Sequence, residues 1–418
     1  MVTFDAAAQH SADLGARRQN LKSIGSSVAK LAPGVAASAV VMQGGFMGAE
    51  YLGQGLLALQ GISGASPISG IPVAILLGMA IKNTVGVPSQ LEDGIKFATK
   101  PVLQAGIVCV GAKLSAVDLV TTGLVGLPAV VTSIGVGLTF IPWLGNKMGL
   151  PAKMSSLIAA GTSICGVTAI TALSPAIKAS QQDTSFAVAN VVAFGTIGML
   201  VYPYVAHAII PSSHAIGIAL GLSVHDTSQV IGCALSYSTV FGDEEVLKVA
   251  TVTKLTRNLF LAGVIPGLTY MTARSESQLA AAAAAKENPG AAATLEAPSS
   301  LVPSFAEVKK YFPGFVAGFV GMSALRTVGD MTLASDTAAA FGVFDADTWK
   351  TLTKFVGNEL GSHYLLGTAM AGVGLSTSAS ALRGVGIKPF IVGLAGAGAV
   401  GATGFSTALI LHHVFHLA

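Results

Sequence analysis

The chain has 418 residues, of which 52% are hydrophobic and 10% are charged, and its mean hydropathy is +0.69. Soluble domains carry about 25% charged residues, so this composition excludes a soluble protein of this length and indicates a polytopic helical membrane protein. The net charge of +3 is too small to support binding to nucleic acid, and no nucleic-acid partner is expected.

Residues 1–33 form a polar N-terminal extension, which contains Arg17, Arg18, Lys22 and Lys30. A cleavable secretory signal has an apolar run directly after a short basic region, and this extension has no such run. Its low content of acidic residues also suits an organellar transit sequence. We therefore expect the plasma (inner) membrane as the location, and an organellar membrane remains the alternative.

Long apolar runs predict eleven transmembrane helices of about 20 residues each. In chain order, these spans lie at 34–58, 67–86, 99–117, 122–146, 154–178, 185–210, 214–238, 246–272, 313–329, 360–382 and 387–414. Spans 1–8 make up the first part of the membrane domain (34–273), a linker follows (274–312), and spans 9–11 make up the second part (313–418). The acidic stretch 330–356 is predicted to be an exposed loop with a short amphipathic helix.

The distribution of basic residues predicts how these spans are oriented. With eleven spans, most of the 23 Lys and Arg residues fall on the same side as the N-terminus, and basic residues accumulate in cytoplasmic loops. The N-terminus is therefore predicted to be cytoplasmic. An inverted repeat pairs spans that run in opposite directions, so a 5+5 repeat pairs spans 2–6 with spans 7–11 and leaves span 1 as an extra N-terminal helix.

Span 5 contains the run Gly-Thr-Ser-Ile-Cys-Gly at 161–166. Glycine loosens a helix, hydroxyl groups satisfy the backbone groups that become free, and the N-terminus of a broken helix binds anions. We therefore predict a substrate site that includes Thr162, Ser163, Cys165 and Gly166. The alternative is that these small residues only let neighbouring helices pack closely.

Span 10 carries a similar cluster of glycine and hydroxyl residues at 371–379, and the inverted repeat pairs this span with span 5. A second broken helix is therefore predicted here, and it adds Ser376, Thr377 and Ser378 to the predicted substrate site. In this arrangement, the two broken helices meet near the middle of the bilayer, where transporters of this kind bind their substrates.

Span 7 contains His225 and Asp226 within an otherwise apolar run. Ionisable side chains at bilayer depth are expensive, and they usually face the interior of the bundle or a water-filled path. Because histidine exchanges protons near neutral pH, we predict that this pair couples transport to protons or gates the site. A structural ion pair between Asp226 and a basic residue of span 8 is the alternative.

Span 8 contains Lys254 and Arg257, which lie three residues apart and therefore on one face of a helix. An arginine fork binds oxyanions through two hydrogen bonds, and lysine adds a point charge. The two cations are predicted to bind a negatively charged substrate. Two alternatives stay open: both pair with Asp226 and backbone carbonyls, or both lie at the membrane interface, where long basic side chains reach the headgroups.

Motifs for other kinds of chemistry are absent or incomplete. The three cysteines lie in apolar runs without a Cys-x-x-Cys pair, so no disulfide framework is expected. His412, His413 and His416 lack further ligands, so no metal site and no cofactor are predicted. The chain has neither an ATP-binding phosphate loop nor the hydrolase motifs His-Glu-x-x-His and Gly-x-Ser-x-Gly, and no enzymatic activity is expected.

Several short motifs resemble those of the YeiH family of proposed sulfate exporters. They are Gly-Thr-Ser-Ile-Cys-Gly at 161–166, Phe-Gly-Thr-Ile-Gly at 194–198, Tyr202-Pro203, Ser-Val-His-Asp at 223–226, Val-Thr-Lys-Leu-Thr-Arg at 252–257, Gly-Val-Gly-Leu-Ser-Thr at 372–377 and Leu382-Arg383. The resemblance runs in order from about residue 70 to 415. It implies the superfamily of bile acid, arsenite and riboflavin transporters, with a ten-span inverted repeat and two broken helices that cross.

Together, these features predict a secondary transporter that moves a small anion such as sulfate, sulfite or an organic sulfonate by alternating access, with H⁺ or Na⁺ as coupling ion. Two other functions stay open. In a cation/proton antiporter, Asp226 would exchange the ions and Lys254 would compete with them. A membrane sensor or scaffold would bind a ligand without moving it. The lipid bilayer is the expected environment, and a homodimer through span 1 also stays open.

Overall fold

The structure is a computed structural model that describes residues 28–55, 58, 70–287, 314–334, 339–378 and 386–415, without the side chains of Gln181 and of 276–287. Most of the predicted linker, Leu382, Arg383 and His416 lie outside these ranges. The described chain is helical apart from short connections and one isolated bridge. Six of its helices are long and apolar enough to cross a bilayer. The prediction of an all-α polytopic membrane protein is confirmed.

Fourteen helices carry labels in chain order within the described ranges. The first seven are α1 (Val28–Gly55), α2 (Gly70–Thr84), α3 (Ser89–Lys113), α4 (Ala116–Lys147), α5 (Ala152–Ala176), α6 (Gln181–Ile209) and α7 (Ser213–Ser223). The others are α8 (Thr227–Phe241), α9 (Glu244–Leu259), α10 (Leu261–Glu287), α11 (Gly314–Leu333), α12 (Ala346–Lys354), α13 (Gly367–Ser376) and α14 (Ile387–Phe415). A π-helical segment, Phe355–Leu366, joins α12 to α13.

Hydroxyl side chains define where several of these helices begin. The Ser115 hydroxyl accepts a hydrogen bond from the backbone N–H of Asp118 at 3.1 Å, and the Asp118 carboxylate accepts one from the Ser115 N–H in return. Ser180 accepts from the Asp183 N–H at 3.0 Å, and Ser212 caps α7 in the same way. These caps satisfy backbone donors at the starts of α4, α6 and α7, which have no partner inside a helix.

Two predicted spans are each divided into two helices. The span predicted at 214–238 consists of α7 and α8, which are separated by extended backbone at Val224 and Asp226. The span predicted at 246–272 consists of α9 and α10, with a turn at Phe260. Helix α10 then continues to Glu287, so the beginning of the predicted linker is helical.

The largest apolar cluster contains buried residues from α3, α4, α7, α8, α9 and α13. Many large apolar side chains are nevertheless exposed, and on α4 they include Leu124, Val131 and Trp143, which are 63%, 50% and 56% exposed. On a soluble protein, a contiguous patch of this kind is rare. Here it forms the surface that faces lipid, and the polar side chains collect inside the bundle.

Candidate functional site

Helix α5 is interrupted in its middle, at the run predicted to break. Residues Gly161–Cys165 form a π-helical turn, and Cys165 then adopts φ −142° and ψ 48°. Gly166 follows with φ 49° and ψ −128°, a conformation that favours glycine because it has no Cβ. A Cβ on Gly166 would lie 2.9 Å from the Cα of Asp226. The break in α5 therefore lies directly against the break between α7 and α8.

Asp226 begins α8 and caps it. Its carboxylate accepts a hydrogen bond from the backbone N–H of Ser228 at 3.0 Å and another from the Ser228 hydroxyl. The Gln229 side chain accepts from the Asp226 N–H at 3.3 Å, which completes a capping box. Gln229 also donates to the Val192 carbonyl at 3.0 Å and is 3% exposed. These contacts fix the carboxylate at the start of a half-helix.

Lys254 and Arg257 lie behind the two breaks and are 0% exposed. Lys254 Nζ donates to the Ile164 carbonyl at 2.8 Å and to the His225 carbonyl. The Arg257 guanidinium donates to the carbonyls of Thr162, Ser163 and Leu222 at 2.6, 2.5 and 2.6 Å. The acceptors are carbonyls at the end of the first half of α5, the Leu222 carbonyl near the end of α7, and the His225 carbonyl in the connection from α7 to α8. The two cations thus satisfy the C-terminal ends of both half-helices.

This geometry changes the interpretation of both basic residues. No ion pair joins Lys254 or Arg257 to Asp226 anywhere in the described part of the chain. The donors of both basic side chains are directed at backbone oxygens. In this conformation the hydrogen bonds favour the alternative of carbonyl pairing, and direct contact between the two cations and a substrate stays a prediction. Their positive charges lie beside the two breaks, with backbone carbonyls around them.

A cavity of about 390 Å³ lies at the N-terminal ends of α8 and of the second half of α5. Its wall combines hydroxyl, amide and charged groups with apolar side chains. The lining residues are Thr99, Lys100, Leu103, Gln104, Ile107, Cys165, Val167, Thr168, Val192, Asp226, Thr227, Ser228, Gln229, Asn258, Leu261, Phe315, Val373, Ser376 and Thr377. We call it the central cavity. Two half-helices therefore direct their N-terminal ends into one space.

Four of the predicted site residues line the central cavity, namely Cys165, Asp226, Ser376 and Thr377. The Cys165 thiol lies 3.3 Å from the Thr227 hydroxyl, which connects the two breaks. The Ser376–Thr377 pair ends α13 and also borders a second, largely apolar cavity of about 500 Å³. Ser378 lines that second cavity. Since 379–385 lie outside the described residues, a break within the span predicted at 360–382 stays a prediction.

Three other predicted residues lie behind the wall of the central cavity. Thr162 and Ser163 are 2% and 0% exposed, and it is their backbone carbonyls that bind Arg257. His225 is 2% exposed, and its carbonyl accepts from Lys254. Its Nδ1 atom has no hydrogen-bond partner among the described residues. These residues lie where the break in α5 meets the break between α7 and α8, and they do not line the central cavity.

Sequence reasoning missed Asn258, which directly follows Arg257. Its Nδ2 atom donates to the Thr227 hydroxyl at 3.1 Å, whereas its Oδ1 atom has no partner within the described structure. Asn258 is 1% exposed and lines the central cavity. The spacing from Lys254 could have indicated Asn258, because residues four apart share a helix face and Asn258 lies four residues after Lys254.

Sequence reasoning also missed Lys100 and Thr168 as lining residues of the central cavity. Lys100 is the basic residue among the described side chains of its wall, and it lies in the π-helical turn of α3, Ala98–Val102, beside Pro101. Thr168 lies in the first turn of the second half of α5. At the C-terminus, the rings of His412 and His413 are 5.2 Å apart, and no group of three metal-ligating residues occurs in the described ranges.

Comparison with known proteins identifies relatives along most of the chain. The family model described as "Conserved hypothetical protein 698" matches residues 55–393. A UPF0324 membrane protein of Haemophilus influenzae is 33% identical over 337 residues, which are 78% of this chain and 84% of the relative. The UPF0324 inner membrane protein YeiH of Salmonella typhi is 32% identical over 371 residues, or 87% and 89% of the two chains.

Among solved structures, the sodium proton antiporter MjNhaP1 of Methanocaldococcus jannaschii aligns over 88% of this chain and 100% of its own, with 13% identity and a TM-score of 0.23. So low a TM-score carries no argument about fold or function. The family match rests instead on the sequence, and it confirms the resemblance carried by the motifs. The chain belongs to the family of conserved hypothetical protein 698, whose relatives are the UPF0324 membrane proteins that include YeiH.

Proposed function

We propose that this protein is a secondary transporter that carries a small anion, such as sulfate, sulfite or an organic sulfonate, across the inner membrane by alternating access. The observation that carries the proposal is the charge imbalance at the central cavity. Lys254 and Arg257 are both fully buried beside it, and Asp226 is the one carboxylate among its described lining residues.

The two buried cations lie close enough to act on an ion in the cavity. The Lys254 ammonium binds the carbonyl of Ile164, and the next residue, Cys165, already lines the cavity. Charges that are removed from water are weakly screened. A cavity with a low-dielectric wall and an excess of positive charge attracts anions. Lys100 adds a further positive charge on the cavity wall itself.

Hydrogen-bond donors of the central cavity also suit an oxyanion. The second half of α5 begins at Gly166, and no side chain caps this end among the described residues. The backbone N–H groups of its first turn are therefore available to a ligand. Thr168 places a hydroxyl group on the cavity wall, whereas the hydroxyls of Ser228 and Thr377 already donate to the Asp226 carboxylate and to the Val373 carbonyl. Helix-end donors together with a hydroxyl form the kind of site that binds sulfate without a metal ion.

The central cavity is bordered by the early part of α3, at Lys100, and by the end of α13, at Thr377. It therefore opens towards the membrane face where α3 begins and α13 ends. In alternating access, a second state exposes the same site to the opposite face. Sequence motifs for ATP binding are absent, so an ion gradient is the proposed energy source.

A cation/proton antiporter is the second candidate function, and one specific observation favours it. Asp226 is a carboxylate on the cavity wall, and the Asn258 Oδ1 atom is a buried acceptor without a partner in the described structure. Oxygen acceptors of this kind bind Na⁺ rather than an anion. The positive charge of Lys254 and Arg257 opposes this function, and we therefore rank it second.

The test is flux of radiolabelled sulfate and sulfite into sealed proteoliposomes under an imposed pH gradient. We expect uptake that follows the gradient and falls strongly in Lys100→Gln, because the cavity loses the positive charge on its wall. Lys96→Gln is the matched control, since Lys96 lies on the same helix and forms an exposed pair with Glu92. Proton movement driven by Na⁺ or K⁺, without anion flux, would instead establish the antiporter. Ligand binding without any flux would establish a sensor.

A further inference from the structure

A third cavity, of about 290 Å³, lies at the opposite end of several helices that line the central cavity. Its wall contains one lysine, Lys113, and two carboxylates, Glu244 and Glu359, and its other polar groups include Asn358, Ser362 and His363. Lys113 ends α3 and Glu244 begins α9, whereas Asn358 belongs to the π-helical segment before α13. We call this space the distal cavity. The site proposed above for transport makes no use of it.

Lys113 is a buried cation that is held by one carboxylate. Its side chain is 6% exposed, and its Nζ atom lies 3.3 Å from Glu244 Oε2. The other carboxylate oxygen of Glu244 accepts a hydrogen bond from Asn358 at 3.0 Å. The Glu244 side chain is 48% exposed, so it can move into water, but Lys113 cannot. The pair joins three elements that are distant in sequence, at the wall of a cavity.

Helices α3 and α8 lead from the central cavity to the distal cavity. On α3, Ile107 lines the central cavity and Lys113 lines the distal cavity. On α8, Gln229 and Leu235 line the same two cavities in the same order. Each pair is six residues apart, which is about 9 Å along a helix. The two cavities are thus separated by less than two helical turns.

The segment that leads into α13 forms a third connection, since Ser362 lines the distal cavity and Val373 lines the central cavity. Each of the three connections carries a buried apolar residue between its two ends. These residues are Val110, Ile231 and Leu366, which are 1%, 1% and 0% exposed and belong to one apolar cluster. The space between the cavities is therefore closed by a dry apolar layer, with the ion pair of Lys113 on its far side.

We propose that the distal cavity is the vestibule on the opposite membrane face, in which Lys113 binds the transported anion when Glu244 releases it. The inference rests on the proposed anion transport. In this conformation, the Glu244 carboxylate pairs with Lys113 in the place that the anion would take. When the apolar layer opens, an arriving anion competes with Glu244 for Lys113, and Glu244 is displaced into water. Pairing of Lys113 with Glu244 then closes the vestibule behind the departing anion.

The test measures access to the central cavity from the distal side, and it does not require transport. A cysteine is introduced by Thr168→Cys, after the three native cysteines have been replaced by alanine. Sealed vesicles of known orientation are treated from the distal side with two membrane-impermeant methanethiosulfonate reagents, one carrying a sulfonate and one a trimethylammonium group. In the protein with only the introduced cysteine, the thiol should react slowly from this side, because the apolar layer is closed and the Lys113–Glu244 ion pair is formed.

With Glu244→Gln, we expect the sulfonate reagent to react about tenfold faster with the introduced thiol. The reaction rate of the cationic reagent should increase less. Additional Lys113→Gln should remove the preference for the anionic reagent. Glu92→Gln is the matched control, because Glu92 pairs with Lys96 on the exposed first turns of α3, far along the helix from Lys113, and it should change nothing. Asn358→Ala, which removes one of the two contacts that hold the Glu244 carboxylate, serves as a second variant in case Glu244→Gln folds poorly.

Two results would overturn the inference: unchanged labelling in both Glu244→Gln and Asn358→Ala, or an equal gain for both reagents. The outcome is separable from the proposed transport function. Anion flux together with unchanged labelling from the distal side rejects the vestibule alone. Charge-selective labelling without anion flux supports the anion-selective vestibule and rejects transport of the anions that were tested.

Discussion

Arg257 illustrates at the scale of a residue how a cation is accommodated at bilayer depth. Its guanidinium binds the carbonyls that end two half-helices, at distances of 2.5 to 2.6 Å for Ser163, Thr162 and Leu222. Carbonyl groups left without partners in a membrane are costly. A broken helix creates such carbonyls, and a buried cation satisfies them. Its charge also remains close to the central cavity, so one residue serves the fold and the proposed anion site together.

The first prediction concerns this structural role. Arg257→Met removes the guanidinium donors from three buried carbonyl oxygens, and we expect a loss of about 3 kcal/mol in the free energy of unfolding. Lys248→Met is the control on the same helix, and its exposed pair with Glu245 should matter by less than about 1 kcal/mol. The measurement is the thermal midpoint of the purified protein in detergent. Equal thermal midpoints for the two variants would contradict the structural role of Arg257.

Asn258 provides the second prediction, which distinguishes anion from cation transport. Its unpartnered Oδ1 atom belongs to a side chain that lines the central cavity. Asn258→Asp keeps the size and adds a negative charge, so we expect it to reduce anion flux by about tenfold more than Asn258→Ala. The assay is sulfate and sulfite uptake in proteoliposomes. Cation-driven proton exchange that persists or increases in Asn258→Asp would favour the antiporter instead.

At the scale of an element, the break in α5 depends on Gly166. Its φ of 49° and ψ of −128° are unfavourable for a residue with a Cβ, and a Cβ there would meet Asp226. The backbone conformation and the close approach therefore both require glycine. Since the break directs the N-terminus of the second half of α5 into the central cavity, the geometry of one glycine determines where the proposed anion site lies.

The third prediction is that Gly166→Ala impairs the protein through this break. Strain at such a backbone position costs about 1–3 kcal/mol, and the clash with Asp226 adds to it. We expect a lower thermal midpoint and a loss of anion flux. Gly263→Ala is the matched control: Gly263 lies in α10, and a Cβ there meets nothing within 4 Å. Comparable behaviour of the two alanine variants would show that the break tolerates a side chain.

At the scale of the whole molecule, the bundle buries polar and charged groups within its apolar core and exposes large apolar side chains. Lys254 and Arg257 are buried beside the central cavity and Lys113 at the distal cavity, whereas α4 exposes Leu124, Val131 and Trp143. This distribution is suited to lipid as the surrounding solvent. It also explains how a chain with 10% charged residues forms a stable surface.

The fourth prediction tests that surface. Val131 is 50% exposed near the middle of α4, and Val343 is 75% exposed in the connection between α11 and α12. Val131→Arg should cost about 2.5–3.5 kcal/mol of insertion free energy, whereas Val343→Arg should cost little because its site is not within a helix of membrane-spanning length. The measurement is the fraction of each variant that is integrated into the membrane. A similar fraction for both would place Val131 in water.

The amino-acid sequence by itself determined the membrane class, the helical architecture and the break in α5. Hydropathy decides whether a helix belongs in lipid, and this property is local. The run at 161–166 predicts a break because glycine and hydroxyl residues have local consequences for the backbone. The same local signals place Cys165, Asp226, Ser376 and Thr377 in the predicted site, and the structure brings these four together at one cavity.

Only the tertiary structure decided what the break in α5 faces and which groups Lys254 and Arg257 bind. Helical periodicity tells which side chains share a face, but every residue carries a carbonyl, so no sequence pattern marks the carbonyls that lack a partner. The sequence pairs the break with the span at 360–382, and the fold in addition places Asp226 and the α7–α8 break against Gly166. Contacts between distant segments depend on how helices pack, and packing settles which buried charges reach a cavity and which lie behind its wall.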